Sequence, residues 1–173
     1  MTLERSKTSR GAGQPPISPV TKPFVPTKII SGGQTGVDRG ALDAALSLGF
    51  DHGGSCPRGR LAEDGTIPAR YRLTELDSTD YRARTEQNVI DAHATLILCR
   101  GPVKGGTALT RRFAQQYQRP YLVIALGLPA KVDLVRAWLA QVAPVVLNVA
   151  GPRESNAPGI AAETQDFLRR VFA

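Results

Sequence analysis

Short apolar strands alternate with amphipathic helices along most of this chain, and that alternation limits its fold more than any other feature. Helices are predicted to pass through residues 42–49, 81–92, 107–118, 131–141 and 160–172. Strands are predicted at residues 28–31, 50–54, 71–73, 94–99, 121–126 and 145–149. Most of these strands are apolar throughout, which is typical of strands that helices cover on both faces. The pattern predicts an α/β fold built from βαβ units around a parallel sheet.

Length and composition exclude several classes of protein. The 173 residues suit one domain, and no apolar run approaches the roughly 20 residues needed to cross a bilayer. Two cysteines (Cys56 and Cys99) and two histidines (His52 and His93) are too few for a cysteine-rich or histidine-rich metal site. We therefore expect no disulfide scaffold, no metal centre and no membrane span, and we expect a cytoplasmic location.

Residues 1–27 differ from the rest of the chain and are predicted to form a flexible tail. They contain five prolines and few apolar residues, so they cannot bury enough surface to order themselves. They also lack the apolar core of a secretory signal. The single predicted domain therefore spans residues 28–173.

The net charge of +7 favours an anionic partner. The tail has four basic residues and one acidic residue, which leaves a net charge of +4 on residues 28–173. Aromatic residues make up only 6% of the chain, and no basic run is interleaved with them. Because the sequence offers no stacking platform for bases, we expect an anionic small molecule rather than nucleic acid.

A first glycine-rich turn separates the strand at 28–31 from the helix that follows. It comprises Gly32, Gly33, Gln34, Thr35 and Gly36. Glycines in such a turn let backbone N–H groups approach an anion, and the helix N-terminus adds a favourable dipole. A tight turn that merely needs glycine is the alternative. Asp38, in the first helical turn, has two open interpretations, as a ligand contact or as a partner of the helix dipole.

A second turn, at residues 104–107, repeats this device before another helix. It comprises Lys104, Gly105, Gly106 and Thr107. Carboxyl ends of parallel strands meet at one edge of a sheet, where ligands bind. The turns at 32–36, 101–106 and 150–156 should therefore share one rim and form a cleft with two anion-binding edges.

Polar residues elsewhere are predicted near the same rim. Arg84, Thr85 and Asn88 lie in the first half of a helix that precedes a strand, where they could contact a ligand or hold the first glycine turn in place. Arg58 or Arg60 could clamp an anion, or could belong to a solvated loop. Arg153 and Ser155 follow the last strand and could reach the rim.

Five segments resemble the molybdenum cofactor carrier family and occur in that family's order. They are IISGGQTGVDRGAL at 29–42, CPRGRLAEDG at 56–65, RTEQNV at 84–89, KGGT at 104–107 and NVAGPRES at 148–155. The resemblance implies a Rossmann-like, three-layer αβα fold with an open, mainly parallel sheet, related to the lysine-decarboxylase-like nucleotide-binding proteins. It also implies binding of molybdenum cofactor (molybdopterin), a pterin dithiolene with a terminal phosphate.

The resemblance further implies a homo-oligomer and a molybdoenzyme or cofactor-insertion partner. The candidate cofactor-binding residues are Gly32, Gly33, Gln34, Thr35, Gly36, Asp38, Arg58, Arg84, Asn88, Lys104, Gly105, Gly106 and Thr107. No catalytic or metal-binding residue is assigned.

The second glycine turn also looks similar to that of related phosphoribohydrolases, but it departs from their pattern. In those enzymes a Gly-Gly-x-Gly-Thr sequence leads to a catalytic Glu, whereas here Thr107 is followed by Ala108, Leu109 and Thr110. The missing acid favours binding or storage over hydrolysis. The alternative is a nucleotide-metabolite enzyme or sensor of the phosphoribohydrolase-like group, and a third, less favoured hypothesis is a single-stranded nucleic-acid binder.

Overall fold

The computed structural model describes residues 22–127 and 131–173. The elements in chain order are β1 (Lys28–Ile30), α1 (Val37–Leu48), β2 (Asp51–Gly53), β3 (Ser55–Cys56), β4 (Leu61–Ala62), β5 (Gly65–Thr66), β6 (Thr74–Glu75), α2 (Tyr81–Asp91), β7 (Ala94–Cys99), α3 (Gly105–Gln116), β8 (Tyr121–Ala125), α4 (Lys131–Val142), β9 (Val146–Ala150) and α5 (Ile160–Phe172). The five predicted helices are confirmed. None of the helices in the described residues is long and apolar enough to cross a membrane.

The main sheet has the strand order β2-β1-β9-β7-β8, and every neighbouring pair is parallel. From β1 the chain moves outward to β2, and from β7 it moves outward in the opposite direction to β8. The last strand, β9, then inserts between β1 and β7. This reversal creates a topological switch point at the carboxyl ends of the central strands, which is where open α/β sheets bind ligands.

Helices cover both faces of this sheet, so the predicted three-layer fold is confirmed. On one face α1, α4 and α5 enclose the larger core, which includes Leu96, Leu98 and Leu147. On the other face α2 packs against α3 around Val89 and Phe113. Burial of apolar side chains on both faces accounts for strands without hydrophobic alternation.

The segment between β2 and α2 is where the sequence-based prediction was wrong. A strand was predicted at 71–73 and none between residues 55 and 69, but β3 pairs with β6 and β4 pairs with β5. Tyr71 is fully buried in a small core with Leu42, Cys56 and Ile67. The apolar character of 71–73 thus reflects side-chain packing, whereas the backbone reaches a pairing partner only at Thr74 and Glu75.

The last residues of the predicted tail contact the domain. Phe24 packs against the larger core, and Pro26 is buried. The amides of Thr27 and Lys28 both donate to the carbonyl of Val145, at 3.0 and 3.1 Å. Packing therefore begins before Lys28, while residues 1–21 lie outside the described residues and the boundary at residue 27 stays a prediction.

Candidate functional site

A cleft of about 460 Å³ opens at the carboxyl edge of the sheet, over β1, β9 and β7. Its floor includes Cys99 at the end of β7 and Asn148 and Ala150 of β9. One wall consists of the first halves of α2 and α3, and the other consists of the loops after β1 and β9. The three turns that were predicted to share a rim all contribute to this cleft.

Not all candidate residues reach the cleft. It is lined by Gly32, Gln34, Asp38, Arg84, Asn88, Lys104, Gly105, Gly106 and Thr107, but not by Gly33, Thr35, Gly36 or Arg58. Sequence reasoning missed Tyr81, Arg82 and Asn148, which also line it. Asn148 could have been found as a polar residue near the end of an apolar strand, whereas no local pattern distinguishes Tyr81 or Arg82.

The N-terminus of α3 is the part of the cleft best suited to an anion. Lys104 precedes the helix, and no side chain caps it. The amides of Gly105, Gly106 and Thr107 precede the first intrahelical bond, which runs from Ala108 N to Lys104 O at 3.2 Å. Such amides need acceptors from outside the helix, and together with the helix dipole they favour an anionic ligand.

Three other helix N-termini are closed by groups of the protein itself. Asp80 caps α2 by accepting a hydrogen bond from Arg82 N at 2.8 Å. The carboxylate of Glu154 accepts hydrogen bonds from the amides of Gly159 and Ala161 at the start of α5. At the start of α1 the amide of Val37 donates to the carbonyl of Pro152 at 3.2 Å.

The first glycine turn holds an internal carboxylate. Asp38 is 5% exposed, and its Oδ2 accepts hydrogen bonds from Gln34 N at 3.2 Å and from Arg84 Nη1 at 2.6 Å. The amide of Gln34 lies in the turn that was predicted to bind an anionic ligand, but it donates to Asp38. Of the two interpretations of Asp38, the structure favours the structural one, and Arg84 holds the first glycine turn through it.

Close packing explains two of the glycines in this turn. A Cβ at Gly32 would overlap Nη1 of Arg84. Gly36 has φ 79°, and a Cβ there would overlap the carbonyl oxygen of Pro152. These glycines thus let the β1–α1 turn contact α2 and the loop after β9, which is a structural role beside any contact with a ligand.

A hydrogen-bond network joins the first glycine turn to two other loops. The carboxylate of Glu63 accepts hydrogen bonds from Thr35 Oγ1 and from Ser155 Oγ, the latter at 2.6 Å. Burial alone would raise the pKa of Glu63, but the hydrogen bonds from Ser155 and Thr35, with the nearby charge of Arg153, hold the pKa below its ordinary value. Thr35 therefore stabilises the loops at the rim through Glu63, although it does not itself line the cleft.

Asn88 and Arg60 also make structural contacts. The side chain of Asn88 exchanges two hydrogen bonds with the backbone of Ser55, at 2.8 and 3.0 Å, so it holds β3 rather than the first glycine turn. The guanidinium of Arg60 donates to four backbone carbonyls of residues 67–73. Arg58 is exposed outside the cleft, and Thr85 donates its hydroxyl to the carbonyl of Tyr81.

Positive charge predominates in the cleft. Five basic side chains line it and Asp38 is its only acidic lining residue among those described. Arg84 is paired with Asp38, and Arg100 is paired with Glu163. The remaining three, Arg82, Lys104 and Arg153, have no carboxylate partner within the described part of the chain. Arg153 instead stacks over the Tyr81 ring, 4.8 Å from its centroid.

The thiol in the cleft is buried, and the carboxylates of Asp38 and Asp64 are already ion-paired. Cys99 lies in the floor of the cleft, but burial raises the pKa of this thiol, which disfavours the reactive thiolate. Asp64 is ion-paired with Arg39, and the hydrogen bond from Arg39 lowers the pKa of that carboxyl. Across residues 22–127 and 131–173, no three His, Cys, Asp or Glu side chains cluster closely enough to hold a metal ion.

Comparison with known proteins places the chain in a family. Residues 29–172 match the model of the circularly permutated YpsA SLOG family. The chain belongs to this family. A crystal structure from Syntrophus aciditrophicus SB, named "Putative molybdenum carrier protein", is 46% identical to the chain and superimposes with a TM-score of 0.85. The match covers 88% of this chain and 98% of the other, and it confirms both the family resemblance and the Rossmann-like fold. No curated protein matches the chain.

Proposed function

We propose that this protein binds and carries molybdenum cofactor, holding the phosphate of its pterin at the N-terminus of α3. The observation that carries the proposal is the uncapped first turn of α3, which opens on a cleft with unpaired basic side chains. The molybdenum carrier name belongs to the Syntrophus protein, and the 46% identity over nearly its whole length supports extending that role to this chain.

The chemistry of the available donors fits the phosphate of this cofactor. A terminal phosphate requires several N–H donors and positive charge, and the cleft supplies the amides of residues 105–107 with the charge of Lys104. Hydrogen bonds to a charged group are each worth about 1.5–3 kcal/mol. A cleft of about 460 Å³ is also within the range of roughly 300–1,000 Å³ in which small-molecule ligands bind.

Binding without turnover is the mode that the carboxylates support. A general acid or base must lie within hydrogen-bond reach of the reacting atom and must be free to donate or accept a proton there. Asp38 and Asp64 are each ion-paired with an arginine, and Glu63 accepts hydrogen bonds from Thr35 and Ser155. We therefore propose a carrier that binds its cargo without converting it and protects it from oxidation. From the family resemblance we also propose that it acts as a homo-oligomer and delivers to a molybdoenzyme or a cofactor-insertion protein.

The test is an anaerobic titration of the purified protein with cofactor released from a molybdoenzyme. We expect one cofactor per chain and slower oxidation of the bound pterin than of the free pterin. AMP is the competitor, since a nucleotide-binding protein of the alternative class would prefer it. Absence of cofactor binding, or displacement of the cofactor by equimolar AMP, would contradict the proposal.

A further inference from the structure

Glu63 lies outside the cleft but joins the two loops that form one of its walls. It sits between β4 and β5, with its side chain directed at the loops after β1 and β9. Its carboxylate accepts hydrogen bonds from Thr35 Oγ1, from Ser155 Oγ at 2.6 Å and from Ser155 N at 3.2 Å. Three segments that are distant in sequence therefore meet at one side chain.

The backbone of Glu63 orients a second group. Its amide donates to Gln34 Oε1 at 2.9 Å, and the amide of Thr35 donates to the same oxygen at 3.1 Å. With two backbone donors on Oε1, the side-chain amide of Gln34 has one orientation that satisfies them. Its Nε2 is then buried beside the cleft without an acceptor among the described residues.

The carboxylate of Glu63 also holds the loop after β9, through Ser155. Arg153 lies two residues before Ser155 on the same loop and is one of the unpaired cations that line the cleft. Glu154, between them, donates its amide to Thr35 Oγ1 at 3.3 Å. Thr35 and Glu63 thus hold the two residues that directly follow Arg153, and with them the stretch of backbone from which its side chain enters the cleft.

We propose that Glu63 is a positioning residue that fixes the Gln34 amide and the Arg153 guanidinium relative to the N-terminus of α3. This inference rests on the proposed function. It makes the Gln34 amide and the Arg153 guanidinium the groups that would contact the part of an anionic ligand that lies away from α3. An arginine whose loop is held adds affinity because little side-chain and loop entropy is lost on binding.

The first measurement needs no ligand. Amide hydrogen exchange is compared in the wild type, Glu63→Gln and Glu63→Ala, because the Ser155 amide is bonded to the carboxylate. We expect at least tenfold faster exchange at Ser155 in Glu63→Ala, and a smaller acceleration in Glu63→Gln, which keeps one acceptor. Glu75→Gln is the matched control, since the carboxylate of Glu75, in β6, accepts a hydrogen bond from Gly59 N and neither residue lines the cleft. Unchanged exchange at Ser155 in both Glu63 variants would overturn the proposal.

The second measurement is a double-mutant cycle on binding, with molybdopterin and inorganic pyrophosphate as separate probes. If Glu63 acts through Arg153, Glu63→Gln and Arg153→Ala are non-additive, and the double variant binds no more weakly than Arg153→Ala alone. Fully additive losses would overturn the role of Glu63. If wild type binds pyrophosphate but not molybdopterin, the proposed cargo is wrong, while the pyrophosphate cycle and the exchange data still decide the role of Glu63.

Discussion

Arg84 Nη1 lies 2.6 Å from Asp38 Oδ2, and this ion pair is largely buried, with 11% and 7% of the two side chains exposed. It connects the first turn of α1 to α2 at the wall of the cleft, which both residues line. Gly32 makes the approach possible, because any side chain there would collide with the guanidinium. A motif that suggested ligand binding thus also carries a structural ion pair.

Breaking this pair on one side is expected to be costly. Arg84→Met should lower the free energy of unfolding by about 3–5 kcal/mol, because a buried carboxylate is left without its counter-charge. Adding Asp38→Asn should restore part of the loss, since the uncompensated charge is then removed. Urea denaturation of the single and double variants measures both effects, and a loss below about 1 kcal/mol for Arg84→Met would contradict this account.

The first turn of α3 should control ligand affinity with little effect on stability. Thr107→Val combined with Gly106→Ala should weaken binding of molybdenum cofactor at least tenfold, or about 1.4 kcal/mol. The fold should tolerate both changes, since a Cβ at Gly106 meets no atom within 4 Å and valine has nearly the shape of threonine. Calorimetric titration measures the affinity, with Gln116→Ala at the far end of α3 as the control. Equal affinity of the double variant and the wild type would show that neither the Thr107 hydroxyl nor the open space at Gly106 contributes to binding.

Two N-terminal deletions should separate the tail from the domain. Removing residues 1–21 should leave the melting temperature and ligand affinity unchanged, because proline-rich polar termini seldom carry core contacts. Removing residues 1–27 should lower the melting temperature, since it also deletes Phe24 and Pro26. Thermal unfolding of both truncated proteins tests this, and an equal melting temperature for the two would show that Phe24 contributes nothing.

Acidification should weaken the contacts of Glu63. Its pKa in the folded protein is lower than the value of about 4.3 for an unfolded chain. Its stabilising contribution is therefore fully present above that value and is lost as the pH falls through the folded pKa. The difference in unfolding free energy between wild type and Glu63→Gln should shrink below pH about 4. A difference in unfolding free energy that stays constant from pH 7 to pH 3 would contradict the lowered pKa of Glu63.

Nucleoside monophosphates should not be hydrolysed. The acid expected after the second glycine turn is absent, and the nearby carboxylates of Asp38 and Glu63 already have hydrogen-bond donors from the protein. Incubation with a panel of nucleoside monophosphates, followed by chromatography of the free base, measures turnover. Sustained multiple turnovers that Asp38→Ala or Glu63→Ala abolishes would establish an enzyme instead of a carrier.

Local patterns in the sequence determined the elements and their layers. The helices were predicted because apolar side chains recur with the helical period, and β7 because six apolar or β-branched residues, Ala94–Cys99, stand together. Gly49 ends α1 in the left-handed conformation that glycine adopts most readily. Features of this kind depend on neighbours within a few residues, so the sequence contains them directly.

Which groups remain available to a ligand was decided only by tertiary structure. Both glycine turns looked equivalent in sequence, yet Asp38 and Pro152 occupy donors at the start of α1, while α3 remains uncapped. The network of Thr35, Glu63 and Ser155 joins residues 28 and 92 positions apart. Whether a polar group is satisfied within the protein depends on donors and acceptors that folding brings together from distant parts of the chain, and no local pattern in the sequence specifies those pairs.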